Sequence, residues 1–210
     1  MSDDLVLYSN PMSRGRIARW MMEELGQPYR VEYLDYATTM KAPEYLALNP
    51  MGKVPALRHR DAIITEGAAI CAYVAAAFPE AGLQPAPGTP ASADYFRWLF
   101  FAAGPVEAAT TAKSLGLLPP VEKKGFVGYG SYDDVVDALE TAVRGKAFIA
   151  GDRFSAADVY VGAQIGWGLR FGTIEARPAF QAYWQPLEQR SAYQRASQLD
   201  DAEMKDRAPG

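Results

Sequence analysis

Apolar and polar positions divide the chain into two halves with different periodicities. Leu5-Val6-Leu7-Tyr8 is a short unbroken apolar run, which predicts a buried strand, and Ser9-Asn10-Pro11 ends it with a turn signal. Ile17, Met21 and Leu25 then recur at helical spacing with Trp20 on the same stripe, and Gly26 and Pro28 close that helix. Tyr29, Val31 and Tyr33 alternate with polar residues, the period of a half-buried strand. Pro43 to Leu48 reads as a short helical piece and Asn49-Pro50-Met51-Gly52 as a turn. Ala56-Leu57-Arg58 and Ala62-Ile63-Ile64-Thr65 flank a charged turn and predict a hairpin; Ile70, Val74 and Phe78 mark the next helix. The order is β-α-β-α-β-β-α. The first crossover implies a parallel pair of strands and the hairpin adds an antiparallel one.

Ala81 to Pro90 carries three prolines and two glycines and reads as a linker. Beyond it only helical periodicity is found. Phe96, Leu99, Phe100 and Ala103 form one stripe, and Val135, Leu139 and Val143 another. Ser155 is a candidate N-cap with Asp158 at N3, a variant capping box, and Phe154 is placed to staple onto Val159. Pro178 opens a further helix at N1. The expected division is an α/β domain over 1–80, a linker over 81–90 and an all-helical domain over 91–210. The polar tail from Asp200 is expected to fray.

Composition narrows the chemistry. The chain has 210 residues, one Cys and one His, with 21 Lys+Arg against 25 Asp+Glu. Cys71 alone cannot form an intrachain disulfide, which suits a reducing, cytoplasmic home. His59 alone excludes a multi-histidine zinc site, and no metal is expected. Its setting, Leu57-Arg58-His59-Arg60-Asp61, reads as a strand end and a solvated turn. A net charge of -4 without a basic run argues against nucleic acid. No segment reaches the ~20 apolar residues of a membrane span, and the acidic opening Met1-Ser2-Asp3-Asp4 is unlike a signal peptide. Catalysis must then come from hydroxyls, carboxylates, Lys, Arg or a group brought by a bound molecule. Helix N-termini that follow strands offer anion sites, at Ser9 to Arg14 and at Thr65-Glu66-Gly67-Ala68.

Four blocks in order carry a resemblance: Leu7 to Arg16 (LYSNPMSRGR), Asn49 to Leu57 (NPMGKVPAL), Thr65 to Ile70 (TEGAAI) and Gly151 to Val159 (GDRFSAADV). Together they resemble the cytosolic glutathione S-transferases, of a bacterial, serine-type-like kind, over nearly the whole chain from Leu5 to about Ala196. The resemblance implies a thioredoxin-like N-terminal domain, an all-α C-terminal helical domain, a homodimer, and glutathione as co-substrate with a small hydrophobic electrophile.

It also implies roles for particular residues. Ser13, in Pro11-Met12-Ser13, matches the hydroxyl that donates to the thiolate; by itself it reads as an ordinary N-cap. Tyr8 is the runner-up, although its spacing to Arg14-Gly15-Arg16 is longer than in tyrosine-type members, and Ser9 and Asn10 stay open. Val54-Pro55 matches a cis proline whose preceding residue pairs its backbone with the cysteinyl part of glutathione. Glu66 matches the acid that meets the γ-glutamyl ammonium, with the amides at Gly67 and Ala68 facing the γ-glutamyl carboxylate. Gly67 departs from the family, which has Ser or Thr there; the missing hydroxyl hydrogen bond is worth ~1.5–3 kcal/mol. Lys53 is placed to reach the glycyl carboxylate. The electrophile is expected between Met12 and the stretch around Phe101 and Pro105, where Gly104-Pro105 should bend a helix.

The energetics suit a site without imidazole. A free thiol titrates at ~8.5, and lowering that by two units needs about 2.7 kcal/mol. One hydrogen bond to a charged group gives ~1.5–3 kcal/mol and a helix N-terminus ~0.3–1. Two rivals share the fold: a glutathione-dependent reductase, isomerase or ether-cleaving enzyme, and a non-catalytic binding protein.

Overall fold

The structure, a computed structural model, describes residues 4–207; the opening tripeptide and the last three residues of the expected tail lie outside them. The described chain forms two compact units. One runs up to Gly82 and takes in the residues from Arg190 onward; the other is Leu83–Gln189.

The first unit is built on four strands, β1 (Leu5–Ser9), β2 (Arg30–Tyr33), β3 (Ala56–His59) and β4 (Ala62–Thr65), in the order β2-β1-β3-β4. β1 and β2 are parallel, and the other two pairings are antiparallel, as the sequence order requires. Strand alternation splits β1 between two faces. Val6 and Tyr8 join Met40, Tyr45 and Ala56 in one cluster, on the side of the short helix α2 (Pro43–Leu46). The other face is covered by α1 (Gly15–Leu25), which packs on β1 and on α3 (Gly67–Ala77). Gly26, at φ 70°, ends α1 in the left-handed conformation that glycine adopts without penalty.

In the second unit α4 (Pro90–Phe101) starts on a Thr89 cap, with the Ser92 N–H donating to Thr89 Oγ1. It passes through a π-turn, Ala102–Val106, into α5 (Glu107–Ser114). Pro105 sits in that turn and lacks the N–H a regular helix would use, which suits the widened turn found at Gly104-Pro105. α6 (Tyr132–Val143), α7 (Ala156–Phe171) and α8 (Pro178–Glu188) complete the unit. α7 is buried on most sides. Its start is fixed by Asp158, which accepts from the Ser155 N–H (2.8 Å), the Ile149 N–H (2.7 Å) and the Tyr183 hydroxyl (2.7 Å).

Three expectations are corrected. The tail from Asp200 is not frayed over its described part: α9 spans Ser191–Asp206 and packs on α1, so the last helix joins the first unit rather than the helical one. Its partners run antiparallel to α1: Arg16 with Asp201, Arg19 with Asp200, Glu23 with Arg195, Glu24 with Arg190. Asp200 is fully buried, and burial pushes its carboxyl above the usual range against the pull of Arg19 and Arg16. Second, the buried face of α4 is Ser92, Tyr95, Trp98 and Leu99, while Phe96 and Phe100 are 41% and 73% exposed. Third, His59 is a partly buried strand-end residue; its Nδ1 lies 3.0 Å from the Tyr73 hydroxyl and its ring packs on Phe78.

Candidate functional site

The strand register brings three segments to one end of the sheet. Tyr8 of β1 stands opposite Ala56 of β3, and Ala56 opposite Thr65 of β4. The loop after Ser9, the segment Lys53-Val54-Pro55 and the start of α3 therefore leave the sheet side by side. In α/β folds ligands gather beyond such strand ends.

The loop after β1 is held by its own side chains. Asn10 Nδ2 donates to the Leu34 carbonyl (2.8 Å), and its Oδ1 accepts from the Met12 N–H (2.9 Å). Tyr36 donates its hydroxyl proton to the Met12 carbonyl (3.0 Å). Ser13 Oγ accepts from the Gly15 N–H (2.9 Å) and donates to the Asn10 carbonyl (2.7 Å). Ser13 is not the N-cap of α1, which is Arg14 without a side-chain cap bond; it stands one residue earlier, half-buried, with its hydroxyl on the first amide of α1.

The other hydroxyl-bearing candidates are placed differently. Tyr8 lies in the core with its ring 5.6 Å from that of Tyr45, and Val54 packs against the same cluster. Ser9 is fully buried and its Oγ has no hydrogen-bond partner among the described residues. Asn10 is spent on Leu34 and Met12.

The Val54–Pro55 bond is cis. Among the described residues neither the N–H nor the C=O of Val54 has a hydrogen-bond partner. The segment before it is anchored: the Lys53 carbonyl accepts from the Tyr45 hydroxyl (2.6 Å) and from Asn49 Nδ2 (2.8 Å). Burial pushes the Tyr45 hydroxyl up to about 12, so it remains a donor at any ordinary pH. The Lys53 side chain is exposed.

Glu66 stands at φ 67°, ψ 121°, a backbone conformation that side chains other than glycine rarely adopt and that costs about 1–3 kcal/mol. It is the N-cap of α3 without a side-chain cap bond, and the amides of Gly67, Ala68 and Ala69 have no partner among the described residues. Three open amides at a helix N-terminus form a ready anion site, with an exposed carboxylate beside them for a cation.

Sequence reasoning missed three residues that shape this end of the sheet. Tyr36 holds the Met12 carbonyl. Lys41 Nζ donates to the carbonyls of Met51 (3.1 Å) and Gly52 (2.8 Å). Arg16 reaches back to the Pro11 carbonyl. All act across gaps in sequence, on backbone atoms, and no residue pattern announces such contacts. Among the described residues no group of three or more His, Cys, Asp or Glu is arranged to hold a metal ion, and no helix is long and apolar enough to cross a membrane.

Two family profiles match the chain: the glutathione S-transferase N-terminal domain over residues 12–77 and the glutathione S-transferase C-terminal domain over residues 130–191. Among curated proteins, glutathione S-transferase 3 of Zea mays is 29% identical over 91% of this chain and 92% of its own. A glutathione transferase from Methylococcus capsulatus is 28% identical and superposes with a TM-score of 0.77 over 94% of this chain and 99% of its own. A sphingomonad glutathione S-transferase, solved in complex with glutathione, is 28% identical with a TM-score of 0.74 over 93% of this chain and 98% of its own. The two profiles together span more than half of the residues, and their order matches the α/β and helical units of the fold: the chain belongs to the glutathione S-transferase family.

Proposed function

We propose that the protein binds glutathione at this end of the sheet, holds its sulfur as thiolate and adds it to a small hydrophobic electrophile. The observation that carries the reading is the convergence set by the register Tyr8–Ala56–Thr65. It gathers the Ser13 loop, the open Val54 backbone and the Glu66–Ala69 helix start, three features that suit a tripeptide with two carboxylates, an ammonium and a thiol. The open Val54 N–H and C=O fit strand-like pairing with the cysteinyl unit. Glu66 takes the γ-glutamyl ammonium and the amides of Gly67 and Ala68 its carboxylate. Lys53 takes the glycyl carboxylate.

Ser13 is the donor to sulfur. Its oxygen already accepts from Gly15 at the positive end of α1, which polarises its O–H and makes it a stronger donor. To reach sulfur its proton leaves the Asn10 carbonyl, which keeps the Ser13 N–H (3.1 Å), so the exchange strands no buried group. The thiolate forms a new bond to the electrophilic carbon. In an addition the displaced electron pair stays on the substrate, which then takes up a proton; in a substitution the leaving group departs with the pair. The protein supplies pKa tuning and positioning.

Gly67 favours a second reading, a weak or non-catalytic binder, because one hydroxyl bond is missing. Calorimetric titration with glutathione tests for binding, and turnover of glutathione with a hydrophobic electrophile separates an enzyme from a non-catalytic binder. Saturable binding that is lost in Glu66→Gln supports the proposal, and no heat up to millimolar glutathione contradicts it.

A further inference from the structure

The loop that carries Ser13 is shaped from outside as well as from within. Arg16, in the first turn of α1, donates from Nε to the Pro11 carbonyl (2.5 Å). Its NH2 group donates to the Asp201 carboxylate on α9 (2.6 Å) and lies 3.3 Å from Met204 Sδ. One guanidinium therefore joins the Ser13 loop to the last helix.

Geometry gives this link its meaning. Arginine's donors sit in a rigid planar fork, so fixing one edge of the plane fixes the direction of the other. Asp201 sets the plane, and the plane aims Nε at Pro11. The neighbouring groups of the loop are tied by Asn10 and Tyr36. Arg16 adds a charge-assisted tie to this loop, at the turn that leads into Ser13. Asp201 is 57% exposed, so its ion pair adds little to global stability. Its effect falls on the order of a few loop residues.

We propose that Arg16 and Asp201 are positioning residues, through which α9 acts as a strut holding the Ser13 loop in its donor geometry. The strut stands on the contacts alone; its catalytic consequence rests on the glutathione reading above.

Amide hydrogen exchange of the unliganded protein tests the strut without reference to function. Asp201→Asn should speed exchange at Met12, Ser13 and Gly15 by about two- to fivefold. Arg16→Gln should speed it by about tenfold. Arg16→Lys, which keeps the charge and loses the fork, should behave like Arg16→Gln. Arg207→Gln, which cuts a different tie of α9, to Asp35, should leave the loop unchanged. Wild-type exchange in Arg16→Gln, or in Arg16→Lys, overturns the strut. So does equal loosening in Arg207→Gln, which would mean general undocking of α9. With glutathione and an electrophile, kcat should fall by the same factor as loop order in Asp201→Asn, while KM for glutathione holds. An unchanged kcat beside a loosened loop removes the catalytic role, and a wild type that fails to bind glutathione sinks the functional reading while leaving the exchange result in place.

Discussion

Ser9 Oγ fills the space that a side chain on Gly15 would need: a Cβ on Gly15 would stand 2.1 Å from it and 2.9 Å from Ser13 Oγ. The end of β1 and the first turn of α1 are thus in contact through a buried hydroxyl and a bare Cα. Gly15→Ala should overpack this point and cost about 1–3 kcal/mol in urea unfolding, with activity lost because Ser13 shifts too. Ser9→Ala removes an unpaired buried hydroxyl and should be neutral or stabilising. A loss of more than about 2 kcal/mol in Ser9→Ala would show that the hydroxyl has a partner after all.

Glu66 pays for its place with backbone strain, and two substitutions expose it. Both Glu66→Ala and Glu66→Gly delete the carboxylate and should weaken glutathione binding alike. Only Glu66→Gly relieves the strain of φ 67°. Relief of ~1–3 kcal/mol outweighs the ~0.5–1 kcal/mol that glycine loses in chain entropy. Thermal unfolding should therefore rank Glu66→Gly above Glu66→Ala, by more than the ordinary preference of a helix N-cap for glycine over alanine. The opposite ranking means that this backbone is unstrained.

Cys71 gives stability an alkaline dependence. Burial pushes its thiol from 9.0 up to about 12. Between those values the unfolded chain loses the proton while the folded chain keeps it. Stability is then full below about pH 9 and falls as pH rises, by about 1.4 kcal/mol per unit from this group. Urea unfolding at pH 8.5, 9.5 and 10 should show the fall, and Cys71→Ala should flatten it while lowering stability overall. A native protein whose thiol is rapidly alkylated at pH 8 contradicts the burial behind this argument.

Phe96 and Phe100 lie one turn apart on α4 and are both exposed. The family resemblance implies a homodimer, and we propose this exposed apolar pair as a surface that a second copy covers. Sedimentation at micromolar concentration should give a dimer, and Phe100→Asp should shift it toward monomer. A wild-type monomer refutes the assembly.

The N-terminal elements were legible because each is short, is bounded by turn residues and reads as one type. Ile17, Met21 and Leu25 permit only one helical face, and all three are buried; the strand expected at Tyr29, Val31 and Tyr33 is present as β2, but its residues are all half-buried and show no alternation. α4 was legible as a helix but not in phase: from Tyr95 to Phe101 nearly every residue is apolar or aromatic, so Phe96 and Phe100 read as core although Tyr95, Trp98 and Leu99 fill it. α9 was hidden by Asp200. The buried face is Ala192, Ala196 and Asp200, and a carboxylate on the third position reads as solvent until Arg19 is seen opposite. At the candidate site, Val54-Pro55 and Glu66-Gly67 stand out as motifs. The ties made by Arg16, Tyr36 and Lys41 end on carbonyls of other segments, which leave no mark in residue identity.

Ser13, at the head of α1, is proposed to hold a bound sulfur negative. The most direct test of this role is the ultraviolet thiolate absorbance of the glutathione complex as a function of pH, in the wild type, Ser13→Ala and Tyr8→Phe. The wild type should titrate about two units below the ~8.5 of a free thiol. Because Ser13 must release the Asn10 carbonyl, its net share is at the lower end for a charged hydrogen bond, and Ser13→Ala should raise the value by about one unit. Tyr8→Phe should leave it where it was. A Ser13→Ala complex that titrates like the wild type, or a Tyr8→Phe complex that titrates like free glutathione, would contradict the account.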